Sequence, residues 1–271
     1  MKRRKAFTLV ELLVVIAIIA LLMSILMPAL SRVRKQAKSV ICQANLKQWA
    51  LVFSMYTTDN NSYFMNGSVP KDSGYWWDGG DGGGMGSWWF LPLETYHKEK
   101  ELRFCPMATK PYQDGGQVPF AAWQTSAPME DSGSYGANGY ILNSPPELDY
   151  QLGRPTKDNW RTINVKGTGN IPLFTDALWV DGWPEEYDQP APAEIWWLDT
   201  IGVDEMRRFC SNRHNGFLNG VFCDFTVRPI GIKELWTLKW HRRFETNGEW
   251  TIAGGVKPTD WPEWMRPFRD Y

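Results

Sequence analysis

Three histidines, His97, His214 and His241, are the only imidazoles in 271 residues, and they bound the acid–base chemistry this chain can do. None sits in an H-E-x-x-H metal motif or beside a recognisable serine or cysteine nucleophile motif. His214 precedes Asp224 with nine residues between them, a pair able in principle to act as base and orienter. The simpler use of such a pair is a hydrogen bond stapling a hairpin, because Asn215-Gly216, a strong hairpin signal, follows His214 directly. The run Asp78-Gly79-Gly80-Asp81-Gly82-Gly83-Gly84 lacks the Gly-Lys-Ser/Thr ending of a phosphate-binding loop and reads as plain loop. The expectation is therefore a protein that is not an enzyme. Glu11 poses the sharper chemical question. No charged residue lies between residues 12 and 30, and an acidic residue costs about 2.5 to 3.5 kcal/mol at the centre of a membrane helix and less toward its ends. Glu11 therefore calls for a partner.

The element that carries Glu11 starts after four cations, Lys2, Arg3, Arg4 and Lys5, and is an apolar run interrupted only by Ser24 and Pro28. About 20 such residues at 1.5 Å each cross the hydrocarbon core of a bilayer. A cleaved secretory signal has an apolar region of about 7 to 15 residues, so this run is too long for one, although Ala29-Leu30-Ser31 would suit its cleavage site. The residues Ala6-Phe7-Thr8-Leu9-Val10-Glu11-Leu12 resemble the amino-terminal motif of type IV prepilins and type II secretion pseudopilins. The resemblance implies a cut by a prepilin peptidase between Ala6 and Phe7, N-methylation of Phe7, and an assembly role for Glu11 as the fifth mature residue. Ala6 stands where the family usually has Gly.

The same resemblance implies partners and a place. The partners would be other pseudopilins in a homo- or hetero-filament, the peptidase and the inner-membrane platform of a secretion machine. The chain would cross the inner (cytoplasmic) membrane once, amino terminus in the cytoplasm and carboxy-terminal domain in the periplasm. A formal net charge of -1 gives no reason to expect nucleic acid. Four cysteines suit an oxidising compartment and allow three connectivities. The preferred pairing is Cys210 with Cys223, on extended segments flanking Asn215-Gly216, and Cys42 with Cys105, tying the helix to the head; four buried thiols are the alternative. No cofactor is expected. Some secretion pseudopilins hold calcium, and Asp176, Asp181, Asp199 and Asp224 offer hard oxygens, but their spacing matches no calcium-loop motif.

Past the membrane run, Val33, Ala37, Val40, Ile41 and Ala44 recur at helical spacing, and Leu46, Ala50 and Phe53 continue the stripe. From residue 7 to about residue 56 this predicts a helix of about 50 residues, near 75 Å, kinked or loosened at Pro28. The predicted fold is α+β and pilin-like: a long helix, membrane-spanning in its first half, packed on a small antiparallel sheet with long Trp- and Gly-rich loops. Its divisions are a leader at 1–6, an assembly half at 7–30, an outer half at 31–61 and a head at 62–271. Leu102-Arg103-Phe104-Cys105-Pro106 reads as a short strand, residues 134–140 as turn-rich, Ile171-Pro172-Leu173-Phe174-Thr175-Asp176-Ala177 as a buried strand, and residues 220–228 as the clearest strand. His214 and Asp224 also resemble the H-x9-D-G signature of a pseudopilin subfamily, with Phe225 in place of Gly, and a side chain there argues against a left-handed turn.

Sixteen tryptophans, several paired as in Trp76-Trp77, Trp88-Trp89 and Trp196-Trp197, read first as core filling. The functional expectation is a pseudopilin, a structural subunit of a type II secretion-like or type IV pilus-like envelope filament. The alternative is a membrane-anchored module contacting polysaccharide or secreted substrate through Trp-rich loops at residues 75 to 90 and 179 to 197.

Overall fold

One helix, α1, runs unbroken from Leu9 to Asp59, 51 residues, or about 77 Å at 1.5 Å per residue. The computed structural model describes residues 9–67, 89–125, 131–151, 154–193 and 203–271. A helix satisfies every backbone N–H and C=O within one segment, which suits an apolar run that has no water to turn to. Helical structure continues through Pro28, and Ser24 Oγ donates to the Leu21 carbonyl at 2.7 Å just upstream. Every side chain at residues 9–38 is exposed.

Burial begins where the head meets the helix. Cys42, Leu46, Trp49, Ala50, Val52, Phe53 and Thr57 form the buried face, spaced three and four apart. The expected stripe is thus right for Leu46, Ala50 and Phe53 and wrong upstream. Val33, Ala37, Val40, Ile41 and Ala44 stay exposed, because the head covers a face of α1 centred on Cys42, Leu46 and Trp49.

Among the described residues ten strands follow in order: β1 Lys110–Pro111, β2 Ala121–Gln124, β3 Ser132–Gly133, β4 Tyr135–Asn138, β5 Tyr150–Gln151, β6 Arg154–Pro155, β7 Pro172–Asp176, β8 Asp181–Gly182, β9 Phe217–Phe222 and β10 Val227–Gly231. The main sheet has the order β10-β9-β7-β4-β8. Its pairings are antiparallel except β4 with β8, so the sheet is small and mixed. β9 shows the period of two that lets a sheet serve two cores. Val221 packs toward α1 with Trp49, Phe53, Tyr135 and Phe174, whereas Leu218 and Phe222 face a second core with Phe209, Trp236, Trp240 and Trp261. The helix is fastened to the sheet by Gln43 Nε2 donating to Asn219 Oδ1 at 3.0 Å.

Three local expectations give way. Residues around Leu102 form a 3-10 turn, Lys100–Arg103, rather than a strand. Tyr135–Asn138, expected as turn, is a buried strand, and its glycine has a packing reason: a Cβ on Gly136 would collide with the Trp179 carbonyl and the Ala177 methyl. The long strand over 220–228 is a hairpin, β9 and β10, whose turn holds Phe225 at φ 63°. A left-handed conformation costs a side-chain-bearing residue about 1 to 2 kcal/mol. It is held here because Phe225 N–H donates to the Phe222 carbonyl at 2.8 Å, Lys47 Nζ to the Phe225 carbonyl at 3.1 Å, and the ring packs on the helix-side core.

Among the described residues tryptophan serves chiefly as core. Trp49, Trp89, Trp123, Trp160, Trp236, Trp240 and Trp261 are buried. Their indole N–H groups mostly find carbonyls, as Trp49 does with Leu102 at 2.9 Å and Trp89 with Val180 at 2.9 Å. Of the tryptophans on which a binding surface would rest, Trp89 is buried, Trp179 and Trp183 are half-buried against the core, and Trp76, Trp77, Trp88, Trp196 and Trp197 lie outside the described residues.

Candidate functional site

The first half of α1 is the outstanding surface. It is the one helix among the described residues long and apolar enough to cross a membrane. Glu11 lies in its first turns, where a carboxylate is favoured by the helix dipole. Ala6 and Phe7, the expected cut and methylation positions, lie outside the described residues.

A second site lies where α1 enters the head. The register of β7 on β9 pairs Thr175 with Gly220 and brings Asp176, at the end of β7, beside Asn219. The Asn219 N–H donates to Asp176 Oδ2 at 2.8 Å, and His214, at the turn leading into β9, reaches the same oxygen with Nε2 at 3.2 Å. α1 delivers Cys42, whose thiol lies 3.7 Å from both Asp176 oxygens. Cys105 completes the group with Sγ 3.5 Å from His214 Nε2. One ligand atom from each of these four residues lies within 4.8 Å of the other three.

Buried neighbours set the electrostatics. Arg213, wholly buried, donates from Nε to the Pro119 carbonyl at 2.8 Å, from Nη2 to the Ala121 and Ala177 carbonyls at 2.8 Å each, and from Nη1 to the Ser134 carbonyl and to Asp176 Oδ1 at 3.5 Å. Tyr135 donates its hydroxyl to Cys42 Sγ at 3.4 Å. Burial alone would raise the Asp176 carboxyl, but the hydrogen bond and charge of His214, with Arg213 behind it, hold it below its ordinary value. Burial likewise pulls His214 down, and Asp176 and Cys105 overcome that and hold it up at about 9. The two thiols are driven apart. Burial, Cys105 and Asp176 push Cys42 well up, whereas the hydrogen bonds of Cys42 and His214 draw Cys105 down against its own burial.

These contacts redraw the expected pairs. All four cysteines are free, buried thiols. Cys210 and Cys223 cannot bond, since Cys210 packs in the second core and Cys223 in the core against α1, on opposite sides of the sheet. Burial pushes Cys210 up to about 12 and Cys223 higher, which leaves both unreactive. Cys42 and Cys105 do meet, as thiols facing a carboxylate and an imidazole rather than as a disulfide. His214 and Asp224 do not meet, because β9 separates them and six extended residues span about 20 Å. Asp224 instead accepts from Thr226 N at 2.9 Å within its own turn. The calcium expectation also disperses. Asp176 belongs to His214 and Arg213, Asp181 lies 3.4 Å from Arg208 Nη1, Asp224 caps a turn, and Asp199 lies outside the described residues. Arg213 and Tyr135 were not expected at all, since an arginine beside a histidine and one tyrosine among ten carry no spacing signal.

Comparison with known proteins bears on the amino-terminal end. Residues 1–27 match the family described as prokaryotic N-terminal methylation motif. The chain is 47% identical over 66 residues to the type IV wide pilus major component PilA4 of Thermus thermophilus, a stretch that is 24% of this chain and 50% of that protein. The chain thus spans about half the length of this curated relative. No solved structure gives a match. With its long apolar helix on a small mixed sheet, the chain has a pilin-like fold, carries the prokaryotic N-terminal methylation motif, and shares part of its sequence with a type IV pilin.

Proposed function

We propose that the chain is a pseudopilin, a structural subunit of a type II secretion-like or type IV pilus-like envelope filament that works by assembly rather than catalysis. The observation that carries this reading is the exposure of every side chain at residues 9–38, an apolar helix continuous with one docked on a head. Such a helix needs a bilayer or other copies of itself, and a filament subunit uses both in turn. The similarity to a type IV wide pilus component supports the pilus-like version. In this reading the amino terminus is cytoplasmic, the head is periplasmic, and a prepilin peptidase cuts between Ala6 and Phe7 and methylates Phe7. Other pseudopilins and an inner-membrane platform then receive the processed helix.

Glu11 supplies register. When subunits stack, its carboxylate meets the methylated amine of a neighbouring Phe7, and a charge buried without its partner costs about 3 to 5 kcal/mol. Glu11→Ala is therefore expected to be processed normally yet to leave nearly all of the chain in the membrane fraction. Mass spectrometry of the mature terminus and recovery of sheared filaments measure the two steps. A mature chain starting anywhere but Phe7 overturns the processing, and filaments of Glu11→Ala in wild-type amounts overturn the pairing.

A further inference from the structure

We propose that Cys42, Cys105, Asp176 and His214 form a structural zinc site at the junction of α1 and the head. The spacing of the ligand atoms is close to that of a tetrahedral shell. With bonds of about 2.3 Å to sulfur and 2.0 to 2.2 Å to nitrogen and oxygen, a zinc tetrahedron has edges of about 3.3 to 3.8 Å. Three of the six edges here are 3.7 Å from Cys42 Sγ to Asp176, 3.5 Å from Cys105 Sγ to His214 Nε2, and 3.2 Å, just under that range, from His214 Nε2 to Asp176 Oδ2, and the other three are within 4.8 Å. A disulfide between the two cysteines would need neither the imidazole nor the carboxylate.

The donor set selects the metal. Two thiolates and an imidazole are poor ligands for calcium or magnesium and good ones for zinc, and four protein ligands leave no open position for catalysis. Charge also balances. Two thiolates and a carboxylate carry three negative charges, which a zinc ion and the adjacent Arg213 guanidinium neutralise in a dry interior. Binding releases the two thiol protons and any proton on His214 Nε2 to solvent. Outer partners orient two of the four ligands, whereas His214 Nδ1 is buried with no hydrogen-bond partner. Asn219 N–H holds Asp176 Oδ2, and Tyr135 holds the Cys42 sulfur. The ligands come from α1, the loop after the 3-10 turn at Lys100–Arg103, the end of β7 and the turn before β9. Zinc would thus rivet the helix to three separate parts of the head, whether or not the chain assembles into filaments.

The test uses the full chain purified in detergent without chelator or reductant and dialysed into metal-free buffer. Elemental analysis should find about one zinc per chain, as a closed site requires. After removal of that zinc, added cobalt chloride should give the sulfur-to-cobalt charge-transfer absorption and strong visible bands of a tetrahedral thiolate site, and zinc chloride should abolish them. Cys105→Ala, with folding checked by tryptophan fluorescence, should weaken zinc binding by more than the about 100-fold typical of losing an outer-shell partner. Three outcomes overturn the proposal: a Cys42–Cys105 disulfide in peptide maps of metal-free chain as isolated, four free thiols with no cobalt charge-transfer band, or zinc bound equally well by Cys105→Ala.

Discussion

Arg213→Met is expected to destabilise the head by about 3 to 5 kcal/mol, the range for removing one member of a buried ion pair. The side chain is fully buried beside a fully buried Asp176. Its guanidinium has five N–H donors, and they meet five acceptors: the carbonyls of Pro119, Ala121, Ser134 and Ala177, and Asp176 Oδ1. Methionine fills much of the same volume but donates nothing. The Ser134 carbonyl keeps the Ala177 N–H at 2.9 Å, but the carbonyls of Pro119, Ala121 and Ala177 would lose their arginine donor, each at about 1 to 3 kcal/mol if nothing relaxes. The losses do not add in full, because a loosened loop admits water. Arg213→Lys should recover only part of the loss, since an ammonium offers three donors from one point. Urea unfolding of the full chain in detergent, followed by tryptophan fluorescence, gives both values. A loss below about 1 kcal/mol for methionine would mean that the carbonyls find other donors and that Arg213 is not the centre of this junction.

Arg213 also shows which kind of information a single sequence hides. α1 is readable because its signal is local: a charge-free run, helical spacing and, Pro28 apart, an absence of breakers until Asp59-Asn60-Asn61. β7 is readable for the same reason, as a short apolar run bounded by turns. The cluster of Cys42, Cys105, Asp176 and His214 is not local. Cys42 and Asp176 are 134 positions apart, and Cys105 and His214 are 109 apart. They meet only because antiparallel pairing of β7 with β9 sets Asp176 beside the start of β9. Sequence spacing ties His214 to Asp224, the nearest carboxylate downstream, whereas the sheet ties it to Asp176. The expected pairing of Cys210 with Cys223 fails for a related reason. Proximity along the chain near Asn215-Gly216 suggests that Cys210 and Cys223 face each other, but the segment before that turn leaves the sheet instead of pairing with β9. Local rules misread the glycine at 136 as well. A small residue in a strand can signal a turn or a close approach, and only the packing against Trp179 and Ala177 decides between them.

A pH dependence follows from a different buried carboxyl. Asp188 is 3% exposed and accepts N–H bonds from Glu185 at 3.1 Å and Met206 at 2.9 Å. Burial pushes it up to about 7, against the pull of those two backbone bonds and with help from Asp204 and Glu185. In the unfolded chain it titrates near 3.9. Between about pH 4 and 7 the native state therefore binds more protons than the unfolded one, and stability falls as pH rises through that window. The carboxyl's full cost, about 4 kcal/mol as an upper figure, is in place above pH 7. Asp188→Asn keeps an oxygen for the two N–H groups and never ionises. It should therefore be more stable than wild type at pH 8, with most of that advantage gone at pH 5. Urea midpoints for the two chains from pH 5 to 8 isolate Asp188, and parallel pH profiles would show that its carboxyl is already ionised and solvated well below neutrality.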